Sequence, residues 1–251
     1  MKGGLPTVIC LCLLFVCLGC YRSVESYLRA SQVRIRTGDY SGAIRTLLKV
    51  RSFMETNQLV WHELGVAYHL IGDVSNAVYA YKKAISLNPE VVETRLNLGF
   101  LYLTLRQADL AKREFTSCVH LRDSDARAWL GLGYASLQLR EASNAERAFV
   151  EAIRLRTNYA RAWNGWAIVQ IQRGKYAEAA RGFERAYESD PKYAPALVNY
   201  GILALYYLEN YPLALEKFNS YLQLNPNRPD TDHVRLIVQD LENRLKTVGK
   251  P

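Results

Sequence analysis

The chain has 251 residues and a formal net charge of +8, with 32 Lys and Arg set against 24 Asp and Glu. The basic residues are scattered among acidic ones and never form a run of five or six, and no motif of the usual DNA- or RNA-binding kinds occurs, which argues against nucleic acid as a partner. About half of the residues are apolar, enough for a substantial core in one domain or one modest repeat array.

The first segment reads MKGGLPTVICLCLLFVCLGC. Lys2 supplies a minimal positive charge. Val8 to Leu18 is apolar but too short to span a bilayer comfortably. This is the pattern of an export signal over residues 1–19. Its end, Cys17-Leu18-Gly19-Cys20, resembles the processing box of bacterial lipoproteins, with Cys17 standing where that family prefers Leu. The resemblance implies that Cys20 becomes the first mature residue, carries acyl chains on its thiol and new amino group, and anchors the chain stably. Tyr21 follows instead of Asp, which by the same resemblance implies the periplasmic face of an outer membrane. Residues 20–23 are then a short tether. Four of the five cysteines lie in this segment. Cys118 alone lies in the body, where it reads as a small core residue.

Self-similarity dominates the remainder. Ala43, Ala77, Ala111, Ala145 and Ala179 recur at one constant interval. Trp61, Trp129 and Trp163 share one register of that repeat, and Gly65, Gly99, Gly133 and Gly201 share another. Tyr81, Phe115, Phe149 and Phe183 each stand one helical turn after their alanine, and Ala84, Cys118, Ala152 and Ala186 come next. Each unit reads as two antiparallel helices. Small residues permit close approach, large ones fill the space beside them, and Gly38, Gly72 and Gly174 relax the turn between the two.

These residues closely resemble the tetratricopeptide repeat family. The unit W61-H-E-L-G65-V-A-Y68, G72-D73, A77, Y81, A84, N88-P89 is nearly complete. The resemblance implies an all-α fold, a right-handed superhelical solenoid of about six repeats. The units fall at 24–57, 58–91, 92–125, 126–159, 160–193 and 194–228, the last slightly longer than the others. One unit cannot bury its own apolar face, so stacking neighbours completes the core. Beyond them, 229–246 carries a helical stripe of Val234, Leu236 or Ile237, Leu241 and Leu245, with Asp230 or Asp232 at its start. It reads as a helix capping the last unit, the alternative being a docking helix for a partner.

Family resemblance and the repeat register together place Val66, His69, Asn97, Phe100, Tyr134, Ile168, Asn199 and Ile202 on a concave, peptide-binding side. The surroundings are mostly apolar, which suits an extended segment or a helix of a protein partner. Asn97 and Asn199 are singled out because an amide can pair with a partner backbone. Arg127 and Arg161 recur at equivalent sites and read either as a basic rim or as solvated charges. No metal or cofactor is expected. His62-Glu63 does not continue to a second zinc-ligating histidine, since Val66 stands there, and no nucleophile is spaced against a base. The chain is therefore expected to be no enzyme. It resembles lipoprotein scaffolds of the pilotin or envelope-assembly type, which implies a membrane-anchored adaptor for pilus, secretin or outer-membrane protein assembly. The alternative is a constitutive structural subunit of a large envelope complex.

Overall fold

The computed structural model describes residues 24–51, 55–227, 229 and 231–248. The expected export signal, Cys20 and the tether lie outside the described residues. All regular structure among the described residues is helical. The chain divides into two compact units, one ending at Leu101 and one beginning at Tyr102.

The first unit contains α1 (24–36), α2 (Tyr40–Arg51), α3 (Gln58–Leu70), α4 (Val74–Leu87) and the start of α5 (Val92–Thr104). Ala43, Leu47, Val60, Trp61, Leu64, Ala67, Ala80 and Ala84 form its core. Helix starts are chemically marked. Asn57 accepts from the N–H groups of Leu59 and Val60, and Asp73 from that of Asn76. Each satisfies donors that a helix N-terminus leaves open.

The second unit contains the end of α5, then α6 (Ala108–Leu121), α7 (Ala126–Gln138), α8 (Ala142–Leu155), α9 (Ala160–Gln172), α10 (Tyr176–Ser189), α11 (Ala194–Tyr206), α12 (Tyr211–Leu224) and α13 (Thr231–Val248). From α6 onward successive helices pack on one another, and α9 also touches both α7 and α11. Cys118 is fully buried.

Aromatic rings are inserted at sites where a neighbouring helix lacks a side chain. A Cβ added to Gly133 of α7 would sit 2.7 Å from the Phe149 ring, and one added to Gly165 of α9 would sit 2.4 Å from it. Phe149 of α8 thus fills the space that two glycines leave open. The tryptophans repeat a different device. The indole N–H of Trp61 donates to the carbonyl of Glu55 at 3.0 Å, that of Trp129 to Asp123 at 2.7 Å, and that of Trp163 to Thr157 at 2.8 Å. The same contact pins the loop before each of these helices.

The turns inside the repeats follow one geometry. Asp39, Asp73, Gln107, Glu141 and Lys175 donate a backbone N–H to the carbonyls of Arg34, Tyr68, Tyr102, Ser136 and Gln170 respectively, at 2.9 Å in every case. This closure needs a left-handed residue just before the donor. Gly72 supplies one with φ 81°. Arg106 and Arg140 occupy the matching positions in their repeats and are left-handed as well, each with φ 59°. Two turns that lack glycine therefore keep the glycine conformation, because the repeat packing on both sides dictates it.

Helix α13 joins the core of the last repeat. Val234, Val238 and Leu241 pack with Ala214, Phe218 and Tyr221. Of the two residues the stripe left open, Ile237 is the partly buried one, whereas Leu236 is 64% exposed. The helix begins at Thr231, whose hydroxyl donates to the Asn225 carbonyl at 2.8 Å. Asp232 lies in the first turn and pairs with Arg235, and Asp230 lies outside the described residues.

Gly165→Ala is expected to destabilise the second unit by about 1–3 kcal/mol, because the Phe149 ring must move within a filled core. Urea unfolding followed by circular dichroism measures this. Arg140→Gly is expected to act in the opposite direction, by roughly 0.5–1 kcal/mol, since it relieves a left-handed non-glycine residue at some cost in chain entropy.

Candidate functional site

The side chains expected to meet a partner lie on the first helix of each pair. In the first unit Val66 and His69 stand on α3 and Asn97 and Phe100 on α5, all half-buried. Three side chains here converge on Tyr81. The His69 ring meets Tyr81 edge-on, with centroids 6.5 Å apart, and the His62 ring lies 6.3 Å from it. The Asn97 side chain hydrogen-bonds the Tyr81 hydroxyl. Asn97 holds the repeat position that Gly131 holds in the next unit, and the missing side chain of Gly131 makes room for Phe115. The two pairs solve one packing problem in two ways. Phe faces Gly, and Tyr faces an Asn that satisfies its hydroxyl.

The Nδ1 of His62 lies 2.8 Å from the Thr94 hydroxyl, and Thr94 is itself buried. Burial holds the His62 imidazole below its ordinary pKa, against the opposing pull of Glu63 and Glu93. Burial lowers His69 in the same sense. Both rings are therefore built to be neutral. Among the described residues no group of three His, Cys, Asp or Glu side chains is placed to hold a metal ion.

In the second unit the expected residues are Tyr134 on α7, Ile168 on α9, and Asn199 and Ile202 on α11. Tyr134, Ile168 and Asn199 are half-buried, and Ile202 is 36% exposed. A polar row connects them. The Tyr134 hydroxyl donates to the Arg161 carbonyl at 2.9 Å, and its ring packs edge-on against Phe149 with centroids 5.1 Å apart. Tyr193 and Asn164 also hydrogen-bond Tyr134, whose pKa is raised chiefly by burial. Asn199 donates its amide to Asn164 at 2.9 Å, and Asn164 is only 3% exposed. The row ties three helices together.

Asn164 and Tyr193 are the residues sequence reasoning missed. Asn164 stands immediately before Gly165 in a helix rich in apolar side chains, and a buried amide there is the signal. The two asparagines singled out, Asn97 and Asn199, each have a partner inside the protein. Arg127 is held by Asp125 at 2.7 Å, so it is bound to its own loop. Arg161 is exposed and offers a charge beside Tyr134 and Tyr193.

Comparison with known proteins agrees with this architecture. The family model described as Cilia and flagella-associated protein 70 C-terminal domain matches residues 42–190, and a tetratricopeptide repeat model matches 164–229. No curated protein matches the chain in sequence. Among solved structures, PilF of Pseudomonas aeruginosa aligns at TM-score 0.71 and 17% identity, covering 87% of this chain and 99% of that one. MamA aligns at TM-score 0.56 and 27% identity, covering 68% and 93%. YrrB, described as a TPR protein with an unusual peptide-binding site, aligns at TM-score 0.55 and 20% identity, covering 75% and 97%. The fold class is the all-α helical-repeat superhelix.

The histidines give this face a pH signature. An imidazole whose pKa is lowered on folding binds its proton more readily in the unfolded chain. The stability it permits is complete above the ordinary value of 6.5 and is lost as pH falls below it. The urea midpoint of the first unit is expected to drop between about pH 6.5 and pH 5. The double variant His62→Gln, His69→Gln should flatten that slope.

Proposed function

We propose, from the premise that the chain belongs to the tetratricopeptide repeat family, that it is a membrane-tethered scaffold gripping an extended segment or helix of another protein on the α7–α9–α11 face. The observation that carries this reading is the combination on that face of accessible apolar side chains with a rigid polar row. Ile168 and Ile202 offer apolar contact, and the Tyr134, Asn164 and Asn199 hydrogen bonds hold the helices that present them. A surface already rigid before binding loses little entropy when a partner docks. Half-buried aromatic and apolar groups beside fixed polar ones suit a segment that needs both backbone pairing and side-chain pockets.

In this reading the tether is the lipid on Cys20, supported by the Cys17-Leu18-Gly19-Cys20 pattern. None of the described helices is long and apolar enough to cross a membrane. The short segment between Cys20 and α1 holds the first helix near the membrane surface. The partners are proteins of envelope assembly, such as those that build pili, secretins or outer-membrane proteins, and the site is the periplasmic face of an outer membrane.

A photo-crosslinking residue placed at Ile168 or Ile202 in living cells tests the face. Capture of one set of envelope proteins at these positions, and not at exposed Val33 on α1, is the expected outcome. Capture only at Val33 would sink the assignment. Ile202→Asp is expected to weaken capture by about tenfold or more while leaving the thermal midpoint in place, because Ile202 is accessible rather than part of the core. Membrane fractionation of Cys20→Ser, with labelling by a fatty-acid analogue, checks the tether separately.

A further inference from the structure

Two consecutive repeats carry the same pair of arginines around different residues. The segment Arg122-Asp123-Ser124-Asp125-Ala126-Arg127 leads into α7, and Arg156-Thr157-Asn158-Tyr159-Ala160-Arg161 leads into α9. In the first segment the arginines have an acid. Arg127 donates to the Asp125 carboxylate from Nε at 3.0 Å and from Nη2 at 2.7 Å, and the charge of Arg122 bears on it as well. A planar guanidinium donating twice to one carboxylate is the geometry by which arginine recognises acids.

In the second segment Tyr159 stands where the acid stood, and both arginines remain. The Arg156 guanidinium lies over the Tyr159 ring, 4.7 Å from its centroid. Arg161 faces Tyr159, Tyr134 and Tyr193. Arg156 and Arg161 are exposed, and neither has an ion pair among the described residues. Arg161, Arg156 and Arg127 all bear on Tyr159, against the one carboxylate of Asp125, which is already bonded to Arg127. Two positive charges are thus left without an acid beside half-buried tyrosines. The repeat that follows has Asp190 and Pro195 at the two arginine positions.

We infer that Arg161 and Arg156 bind the side-chain carboxylate of a Glu or Asp in a partner segment lying along the α7–α9–α11 face. The inference rests on the function proposed for that face and names the chemistry of its occupant. Arg161 and Ile168 are seven positions apart on α9, about 10.5 Å along one side of the helix. Side chains on one side of an extended segment recur roughly every 6.6 Å. Apolar residues two and four positions from the acid therefore bracket the distance to Ile168. The carboxylate takes for Arg161 the role that Asp125 takes for Arg127. The tyrosine rings beside it keep part of the water away, which strengthens the pair over one fully in solvent.

The test uses the full-length chain with nitrogen-15 in its indoles. Trp163 is the reporter, because its indole N–H is bonded to the Thr157 carbonyl between Arg156 and Tyr159, and its signal is assigned with Trp163→Phe. The probes are acetyl-Glu-Ser-Leu-Ser-Leu-amide and its Gln counterpart. The Glu peptide is expected to shift the Trp163 signal, leave that of Trp61 in place and bind about tenfold tighter than the Gln peptide. Arg161→Gln should weaken the Glu peptide by about tenfold and Arg156→Gln by about threefold, with the Gln peptide unchanged in both. Arg147→Gln on α8, also exposed, should leave the Glu peptide as it was. Equal affinity for the two peptides, both weakened in Ile168→Gln, would overturn the inference and keep the face. Selective binding of the Glu peptide that is lost in Arg161→Gln and untouched in Ile168→Gln would keep the carboxylate site and sink the face. No response to either peptide, an equal response to acetate alone, or a response to phosphatidylglycerol vesicles and not to the Glu peptide would also overturn the inference.

Discussion

The insertion of an aromatic ring against a helix that has no side chain at the contact is the constraint on which the repeats depend. Phe149 is fully buried, and both Gly133 and Gly165 would clash with it if they carried a Cβ. The ring belongs to α8, one glycine to the helix before it and the other to the helix after it. A single side chain thus couples one repeat to the next. This is how a helix pair that cannot close its own core becomes stable by stacking. Tyr81 occupies the equivalent place in the first unit, where Gly65 leaves the space on α3 and Asn97 supplies a hydrogen bond on α5.

Close packing also explains how two arginines come to have positive φ. The chain must reverse direction within a fixed length, and the donor after each turn must reach a set carbonyl in the helix behind it. At Arg106 and Arg140 the backbone carries a local strain that the packed helices on either side compensate. The glycine at these turns is therefore a convenience, and the register is the requirement.

The polar groups divide by face. On one side of α7, Tyr134 is committed to a hydrogen-bonded row reaching α9 and α11, which fixes that surface. On the opposite side, the Ser136 hydroxyl is fully buried and has no partner among the described residues. The difference between the two sides is one of satisfaction. A satisfied buried network rigidifies a surface, whereas an unsatisfied buried donor only carries a desolvation cost.

Much of the fold was legible in the sequence because its signals are local and repeated. The regularly recurring alanines, the aromatics that follow them and the turn glycines mark the paired helices, and the described helices run two to each such interval. The α13 stripe was legible in Val234 and Leu241, but not the choice of Ile237 over Leu236 or the entry of Val238 into the core, because the approach angle of a terminal helix is set by what it packs on. The candidate site was legible only as a list of positions. Sequence spacing showed that Asn97 and Asn199 share a register, but not that the first satisfies Tyr81 and the second Asn164. Nor did it mark Asn164, Tyr193 or the unpaired Ser136 as notable. Periodicity along one chain determines which residues turn inward. Which polar group finds a partner depends on side chains in other repeats, as with Asn164 and Asn199, and only the packed helices bring them within hydrogen-bond reach.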